Sequence, residues 1–229
     1  ELIYRNNPSQ ETLKKYSSLV NETAEFMADY VTYDSINKRY VIKGCIPAQE
    51  TLKASETINP PFELSYWHFA LQTAQQWLER VGLPRNAEWD NIIINLSPLS
   101  SNSDSLYLAA ENAIDSYKDI RFTSDHMAVL GAYGILPECK LVDKKIMWNT
   151  LQWVFNNWNW DKTWGWDYPM TAMNAARLGE NKTFKLMTNI DMCHKPGQKS
   201  MKLPAGSSFD GNGYTIKGYF GGKHESAKT

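Results

Sequence analysis

The sequence predicts a mainly α-helical protein, because four stretches place apolar residues at helical spacing and most of them open on a capping residue. The predicted helices run from Asn7 to Tyr30, from about Pro61 to Val81, from Asn86 to Leu96 and from Asp143 to Trp158. Long amphipathic helices joined by variable loops bury their apolar faces against one another. The pattern alone therefore predicts helices packed in pairs.

The first helix is predicted to begin at Asn7-Pro8-Ser9, which supplies a capping residue and an early proline. After it, residues 33–42 place a polar turn between β-prone residues, which predicts a short hairpin. The hairpin leads into a loop that begins at Cys45.

The second helix carries a predicted buried stripe, and Gly82-Leu83-Pro84 is predicted to end it. Residues 106–109 are predicted to form a short strand, and Ser124 is predicted to open a capped helix over 124–130. His68 is interpreted as a structural histidine. The predicted inward residues are Leu64, Trp67, Leu71, Ala74 and Leu78 in the second helix, and Ile146, Met147, Thr150, Leu151, Val154 and Phe155 in the fourth.

Composition excludes several classes of partner. The net charge of −1 gives no reason to expect a nucleic acid or an anionic membrane, and no apolar run approaches the length of a membrane span. The three cysteines are odd in number and lack Cys-x-x-Cys spacing, so no zinc site, metal or cofactor is predicted. Nine Trp and twelve Tyr permit a glycan site.

The chain starts without Met and without a signal peptide. We therefore expect a portion of a longer polypeptide whose export signal lies outside this sequence, with a periplasmic or extracellular location. The oligomeric state stays open.

Glu50 follows a stiff bend at Pro47, with apolar residues on both sides. A dry setting raises the pKa of a carboxylic acid, which is what a general acid near neutral pH requires. The residues alone favour a solvated loop charge or a helix cap.

The most aromatic stretch, residues 158–170, interleaves four Trp with Asp, Asn and Lys. Flat apolar faces mixed with groups that bind hydroxyls suit a sugar subsite. Trp158 and Trp160 are predicted to seal helix ends, whereas for Trp164, Trp166 and Asp167 both interpretations stay open. Upstream, Asp125-His126 allows either a charge pair at the rim of a site or a capping Asp beside a partly buried His.

Four segments carry a resemblance to a known family, the six-hairpin glycosidases similar to glycoside hydrolase family 65. Pro47-Ala48-Gln49-Glu50 and Asn59-Pro60-Pro61-Phe62-Glu63-Leu64-Ser65-Tyr66-Trp67 resemble the acid-bearing loop and the next helix of that family. Asp-His-Met-Ala-Val-Leu-Gly-Ala-Tyr-Gly from residue 125 and Trp-Gly-Trp-Asp-Tyr-Pro-Met from residue 164 resemble later helices. The resemblance covers about residues 1–180 and implies a catalytic domain that is part of an (α/α)6 barrel.

The resemblance implies a glycoside hydrolase that cleaves an oligo- or polysaccharide. It makes Glu50 the general acid and places substrate-binding residues at Glu63, Tyr66, Asp125, His126, Trp164, Trp166 and Asp167. Gln49 stands where the family often has Asp, and the His that commonly follows the acid is absent. The acid role is therefore better supported than phosphate or any particular sugar.

The catalytic base is left unassigned, because in that family it comes from later helices. The alternatives are a non-catalytic glycan-binding protein, an inactive truncated fragment and an inverting disaccharide phosphorylase.

After Gly179 the sequence changes to short β-prone runs, 182–186 and 209–218, with an Asn-Gly turn signal at 212–213. The second run resembles the first rung of a right-handed β-helix. One rung cannot bury its own apolar face. Residues 181–229 are thus predicted to be a β-prone tail that is poorly ordered or packed on the helices.

Overall fold

The computed structural model describes residues 1–161 and 163–179, and beyond them only the short strands at 183–185, 190–191, 208–210 and 216–217. The chain divides into two compact units, Glu1–Leu178 and Gly179–Thr229. The first unit is mainly α-helical, as predicted. It carries all the candidate site residues.

The four longer predicted helices and the hairpin are confirmed, with ends that differ by a few residues. Strand β1 pairs with β2 in antiparallel register, Thr32 opposite Val41. The helices are α1 (Leu2–Asn6), α2 (Gln10–Tyr30), α3 (Pro61–Arg80), α4 (Ala87–Asn95), α5 (Ile120–Thr123), α6 (Gly131–Gly134), α7 (Lys144–Asn157) and α8 (Asp167–Arg177), with a 3-10 turn at Ala128–Leu130 and strands β1 (Thr32–Asp34) and β2 (Arg39–Val41).

The start of α2 differs from the prediction. Its N-cap is Ser9, whose hydroxyl accepts a hydrogen bond from the Thr12 amide at 3.2 Å, and the short helix α1 precedes it. Pro8 restricts the residue before it to extended backbone, so Asn7 cannot join the helix and the cap falls after the proline.

Helices α2 and α4 both pack on α3. The predicted stripe of α3 is buried at Leu64, Leu71 and Leu78. Trp67 is only half-buried, and its indole Nε1 donates to the Met27 carbonyl oxygen at 2.9 Å, which ties α3 to α2. His68 is buried as predicted, and desolvation lowers its pKa.

The predicted helix over 124–130 is wrong. Ser124 follows α5, and Asp125 has a φ of 77°, which a right-handed helix cannot contain. The chain re-enters helical geometry only at the 3-10 turn and α6. Helix α6 then packs on α8 through Gly134, where an added Cβ would collide with the Met170 carbonyl oxygen.

Two smaller predictions are also wrong. Residues 106–109 form no strand, and they pair only at one isolated bridge, Ser101 with Tyr107. They form instead a buried apolar segment without strand geometry. A short apolar run in a sequence is compatible with either structure. Phe155 faces outward with 44% of its surface exposed, because it lies just beside the buried face of α7 that Leu151 and Val154 define.

In the second unit, β3 (Thr183–Lys185) pairs in parallel with β5 (Ser208–Asp210), and β4 (Ile190–Asp191) pairs in parallel with β6 (Ile216–Lys217). The predicted Asn-Gly turn at 212–213 lies outside the described residues, as does the rest of the tail between these strands. Among the helices that the structure describes, none combines the length and the apolar composition that crossing a membrane requires.

Candidate functional site

The loop that carries Glu50 is fixed to the hairpin by Asn59. The Asn59 side chain accepts from the Ile42 amide at 2.8 Å and donates to Glu111 at 2.7 Å. Glu111 in turn binds Arg39 of β2 through two bonds of 2.6 and 2.9 Å. Asn59 has a φ of 50°, a left-handed conformation that Asn tolerates better than most residues. The two ends of the loop, at Ile42 and at Asn59, are therefore held together by hydrogen bonds.

Inside the loop, the residues next to Glu50 are anchored. The Gln49 side chain is 2% exposed and donates to the Phe122 carbonyl oxygen at 3.1 Å. The Ala48 amide donates to a Glu63 carboxylate oxygen at 2.5 Å. Gln49 is thus a structural anchor, and Glu63, which was predicted to bind substrate, holds the loop against the start of α3.

Asp125 joins the Glu50 loop to the aromatic stretch. Its Oδ2 accepts from the Glu50 amide at 2.8 Å, and its Oδ1 accepts from the Trp164 indole Nε1 at 3.0 Å. One carboxylate therefore bridges two segments separated by more than a hundred residues of sequence.

His126 lies between two carboxylates and two indole rings. Its Nε2 is 3.5 Å from Asp125 Oδ1, and its Nδ1 is 3.4 Å from both oxygens of Asp167. The ring centroid is 4.2 Å from that of Trp166 and 5.5 Å from that of Trp164. Asp125 and His126 therefore lie side by side, as the pair predicted for them requires. The other alternative does not match, because Asp125 caps no described helix and His126 is almost fully buried.

Asp167 is completely buried at the start of α8, where the helix dipole favours a negative charge. Its Oδ2 accepts from the Thr163 hydroxyl at 2.5 Å and from the Trp164 amide at 3.0 Å. Thr163 was not predicted as a site residue. It lies three residues before the N-cap Trp166, and its hydroxyl donates to Asp167 across the turn, a contact that no helix-capping pattern in the sequence indicates.

Glu50, Asp125, His126, Trp164, Trp166 and Asp167 form one connected group, which we call the Asp125 cluster. Its outer surface is made by two indoles, with 53% of Trp164 and 40% of Trp166 exposed. Trp158 is buried and Trp160 half-buried, as predicted for rings that seal helix ends. Tyr66 is 43% exposed on α3 beside Phe62 and Phe69, and the described contacts do not join it to the cluster.

The expected dry setting of Glu50 is wrong. Only its backbone amide is held, and its side chain faces solvent. Its apolar neighbour Ile46 is itself 87% exposed and cannot cover it. The carboxyl group that occupies a dry setting is Glu63, which is 8% exposed and whose pKa is raised by burial.

A small cavity lies beneath the loop, between Gln49, Phe122, Met127 and Trp158. Its volume of about 20 Å³ is room for about one water molecule and not for a sugar. A sugar-sized ligand at this place would therefore lie on the outer, indole-lined face.

The pKa of Glu63 predicts a pH dependence of stability. Because burial raises the native pKa of Glu63, the native state holds the carboxyl proton more tightly than the unfolded chain, whose Glu63 titrates near the ordinary value of 4.5. The contribution of this proton to the free energy of unfolding is therefore fully present below pH 4.5. It is lost as pH rises through the raised native pKa. Glu63→Gln keeps an acceptor for the Ala48 amide and never ionises, so its free energy of unfolding should exceed that of the wild type increasingly as pH rises above 4.5.

Urea unfolding of both proteins across this pH range measures the difference. Glu56→Gln is the control, since Glu56 lies in the loop just before α3 and 64% of its side chain is exposed. A constant difference between Glu63→Gln and wild type at all pH values would contradict the prediction.

The Asp125 cluster thus combines open aromatic faces with carboxylates, which is the mixture that recognises ligands with both apolar faces and hydroxyl groups. Within the described residues, no group of three or more His, Cys, Asp or Glu side chains could hold a metal ion. No model of a known protein family matches the chain, and no curated protein matches its sequence.

Proposed function

We propose that the protein is a glycoside hydrolase whose sugar-binding surface is formed by Trp164 and Trp166 and whose general acid is Glu50. The observation that carries the proposal is the Asp125 cluster, in which two half-exposed indoles lie beside an exposed carboxylic acid on an anchored loop. Indole faces stack on the apolar faces of sugar rings, and the exposed carboxyl group of Glu50 can hydrogen-bond with a sugar oxygen.

In the proposed reaction, Glu50 gives its proton to the glycosidic oxygen as the bond to the sugar breaks. Its backbone is held by Asp125, while its side chain is free to reach a ligand stacked on Trp164.

A hydrolase of this kind also needs a second carboxylate, about 6.5–9.5 Å from the first when water attacks with inversion. Asp167 is fully buried and accepts hydrogen bonds from Thr163 and Trp164. Asp125 accepts from Glu50 and Trp164. Both carboxylates therefore belong to the framework of the site, and neither is assigned as the base.

One observation favours a second candidate function, glycan binding without cleavage. Burial raises the pKa of Glu63, but its carboxylate already accepts a hydrogen bond from the Ala48 amide. Glu50, the proposed acid, is exposed. The same indole surface would then bind sugar and release it unchanged. A phosphorylase differs from both in one respect, since its turnover requires inorganic phosphate.

Trp166→Ala tests the sugar-binding surface under either function. Removal of the indole should weaken binding of an oligosaccharide about tenfold, because the ring supplies one of the two stacking faces. A glycan array identifies the oligosaccharide, and isothermal titration calorimetry measures the dissociation constant.

Phe26→Ala is the matched control, since Phe26 is an exposed aromatic residue on α2 with 61% of its surface accessible. Equal affinities of the Trp166→Ala and wild-type proteins would remove Trp166 from the proposed surface. Binding to no glycan on the array would remove the surface itself.

A further inference from the structure

Asp125 has a backbone conformation that costs free energy and a side chain in which each oxygen accepts a hydrogen bond from within the protein. Its φ of 77° lies in the left-handed region, where a residue with a Cβ is strained and glycine is not. Its two oxygens accept from the Glu50 amide at 2.8 Å and from the Trp164 indole at 3.0 Å. Only 12% of the side chain is exposed, which leaves little of it for a ligand.

We propose that Asp125 is a positioning residue that couples the orientation of the Trp164 ring to the backbone of Glu50. The inference rests on the proposed function, in which Trp164 stacks on the sugar and Glu50 donates the proton. It differs from the predicted role of Asp125 as a direct sugar ligand, since each of its oxygens holds a donor within the protein and only 12% of the side chain is exposed.

The coupling follows from how Trp164 is held. Its backbone amide donates to Asp167 at 3.0 Å, and its indole Nε1 donates to Asp125 at 3.0 Å. With both ends fixed, the ring has one preferred orientation. Any rotation of the ring moves the Asp125 carboxylate, and that carboxylate carries the amide of Glu50 with it.

His126 stiffens the same connection. Its two nitrogens face Asp125 and Asp167 at 3.5 and 3.4 Å, and its ring lies against Trp166. Of the two carboxylates, the buried Asp167 is fixed by hydrogen bonds from Thr163 and Trp164. Asp125 is the carboxylate that contacts the Glu50 loop. Hydrogen bonds to a carboxylate are stronger than those to a neutral acceptor, so the bonds from the Glu50 amide and the Trp164 indole hold both groups firmly on Asp125.

Hydrogen exchange of the Glu50 amide in the free protein tests the coupling. Asp125→Gly removes the carboxylate and accommodates the positive φ, so we expect the fold to persist and the Glu50 amide to exchange about tenfold faster. Trp164→Phe keeps an aromatic ring and removes the indole donor. It should accelerate the same amide about threefold in the wild-type background and not at all in the Asp125→Gly background.

The Ile42 amide is the internal control, because it is bound by Asn59 on the other end of the loop and should not change in any variant. Equal acceleration at Glu50 and Ile42 would show a merely structural role and overturn the proposal. Unchanged exchange at Glu50, or an equal effect of Trp164→Phe in both backgrounds, would overturn it as well. Trp164→Phe alone decides the question if Asp125→Gly does not fold.

The exchange experiment is done without sugar. Its result therefore tests the coupling through Asp125 independently of the proposed function. Loss of the coupling with intact hydrolysis would refute only the role of Asp125. Coupling in a protein that binds no glycan would refute only the proposed function.

Discussion

Glu50→Gln is expected to lower the rate of glycosidic hydrolysis by about a hundredfold or more, because the amide has the shape of the acid and its N–H protons are not acidic enough to be transferred. The substitution keeps the backbone amide that donates to Asp125, so the loop should stay in place. Affinity for the oligosaccharide should stay near that of the wild type. Release of reducing sugar measures the rate, and calorimetry measures the affinity.

Glu56→Gln provides the comparison for this prediction. Glu56 is an exposed acid of the same loop, paired with Lys53 at 3.4 Å, and it should be replaceable without effect on turnover. Turnover by Glu50→Gln close to that of Glu56→Gln would remove Glu50 as the acid. If neither variant nor the wild type releases sugar while all bind it, the glycan-binding alternative is the better description.

Asp167→Ala is expected to lower the free energy of unfolding by about 3 kcal/mol. The substitution leaves the Trp164 amide and the Thr163 hydroxyl without their acceptor in a site where Asp167 itself is fully buried. It also removes the carboxylate that faces His126. Urea denaturation followed by circular dichroism measures the change.

Asp161→Ala is the control for Asp167→Ala, because Asp161 lies six residues earlier and is exposed. It should change the stability little. A loss below about 1 kcal/mol for Asp167→Ala would mean that the network around Asp167 does not stabilise the fold.

The long helices could be predicted because their signals are local. In α4 and α7, the capping side chains Asn86 and Asp143 accept from amides of the first turn, as the sequence indicated. The apolar period of α3 likewise placed Leu64, Leu71 and Leu78 in the core. Such features depend on neighbours within a few residues, so the sequence carries them directly.

The segment between α5 and α6 could not be predicted, because its conformation depends on distant partners. The positive φ of Asp125 ends the apparent helix, and its carboxylate contacts come from Glu50 and Trp164, far away in the sequence. Nothing in the pattern around Ser124 distinguishes such a turn from a capped helix.

The burial of Glu50 and that of Glu63 were mispredicted for a similar reason. Apolar neighbours in sequence suggested that Glu50 is dry, but burial depends on what covers a side chain in space. Ile46 points into solvent, whereas Glu63, at the start of a helix, is covered and binds the Ala48 amide. Six of the eight predicted site residues do lie together in the Asp125 cluster. Their roles toward a sugar remain predictions.

Hydrogen exchange with and without the tightest-binding oligosaccharide of the array tests most directly whether the Asp125 cluster is a sugar site. We expect slower exchange in three segments at once, 46–52, 124–127 and 163–167, with α2 unchanged. Protection confined to other parts of the chain, or no protection at a saturating concentration of that oligosaccharide, would contradict it.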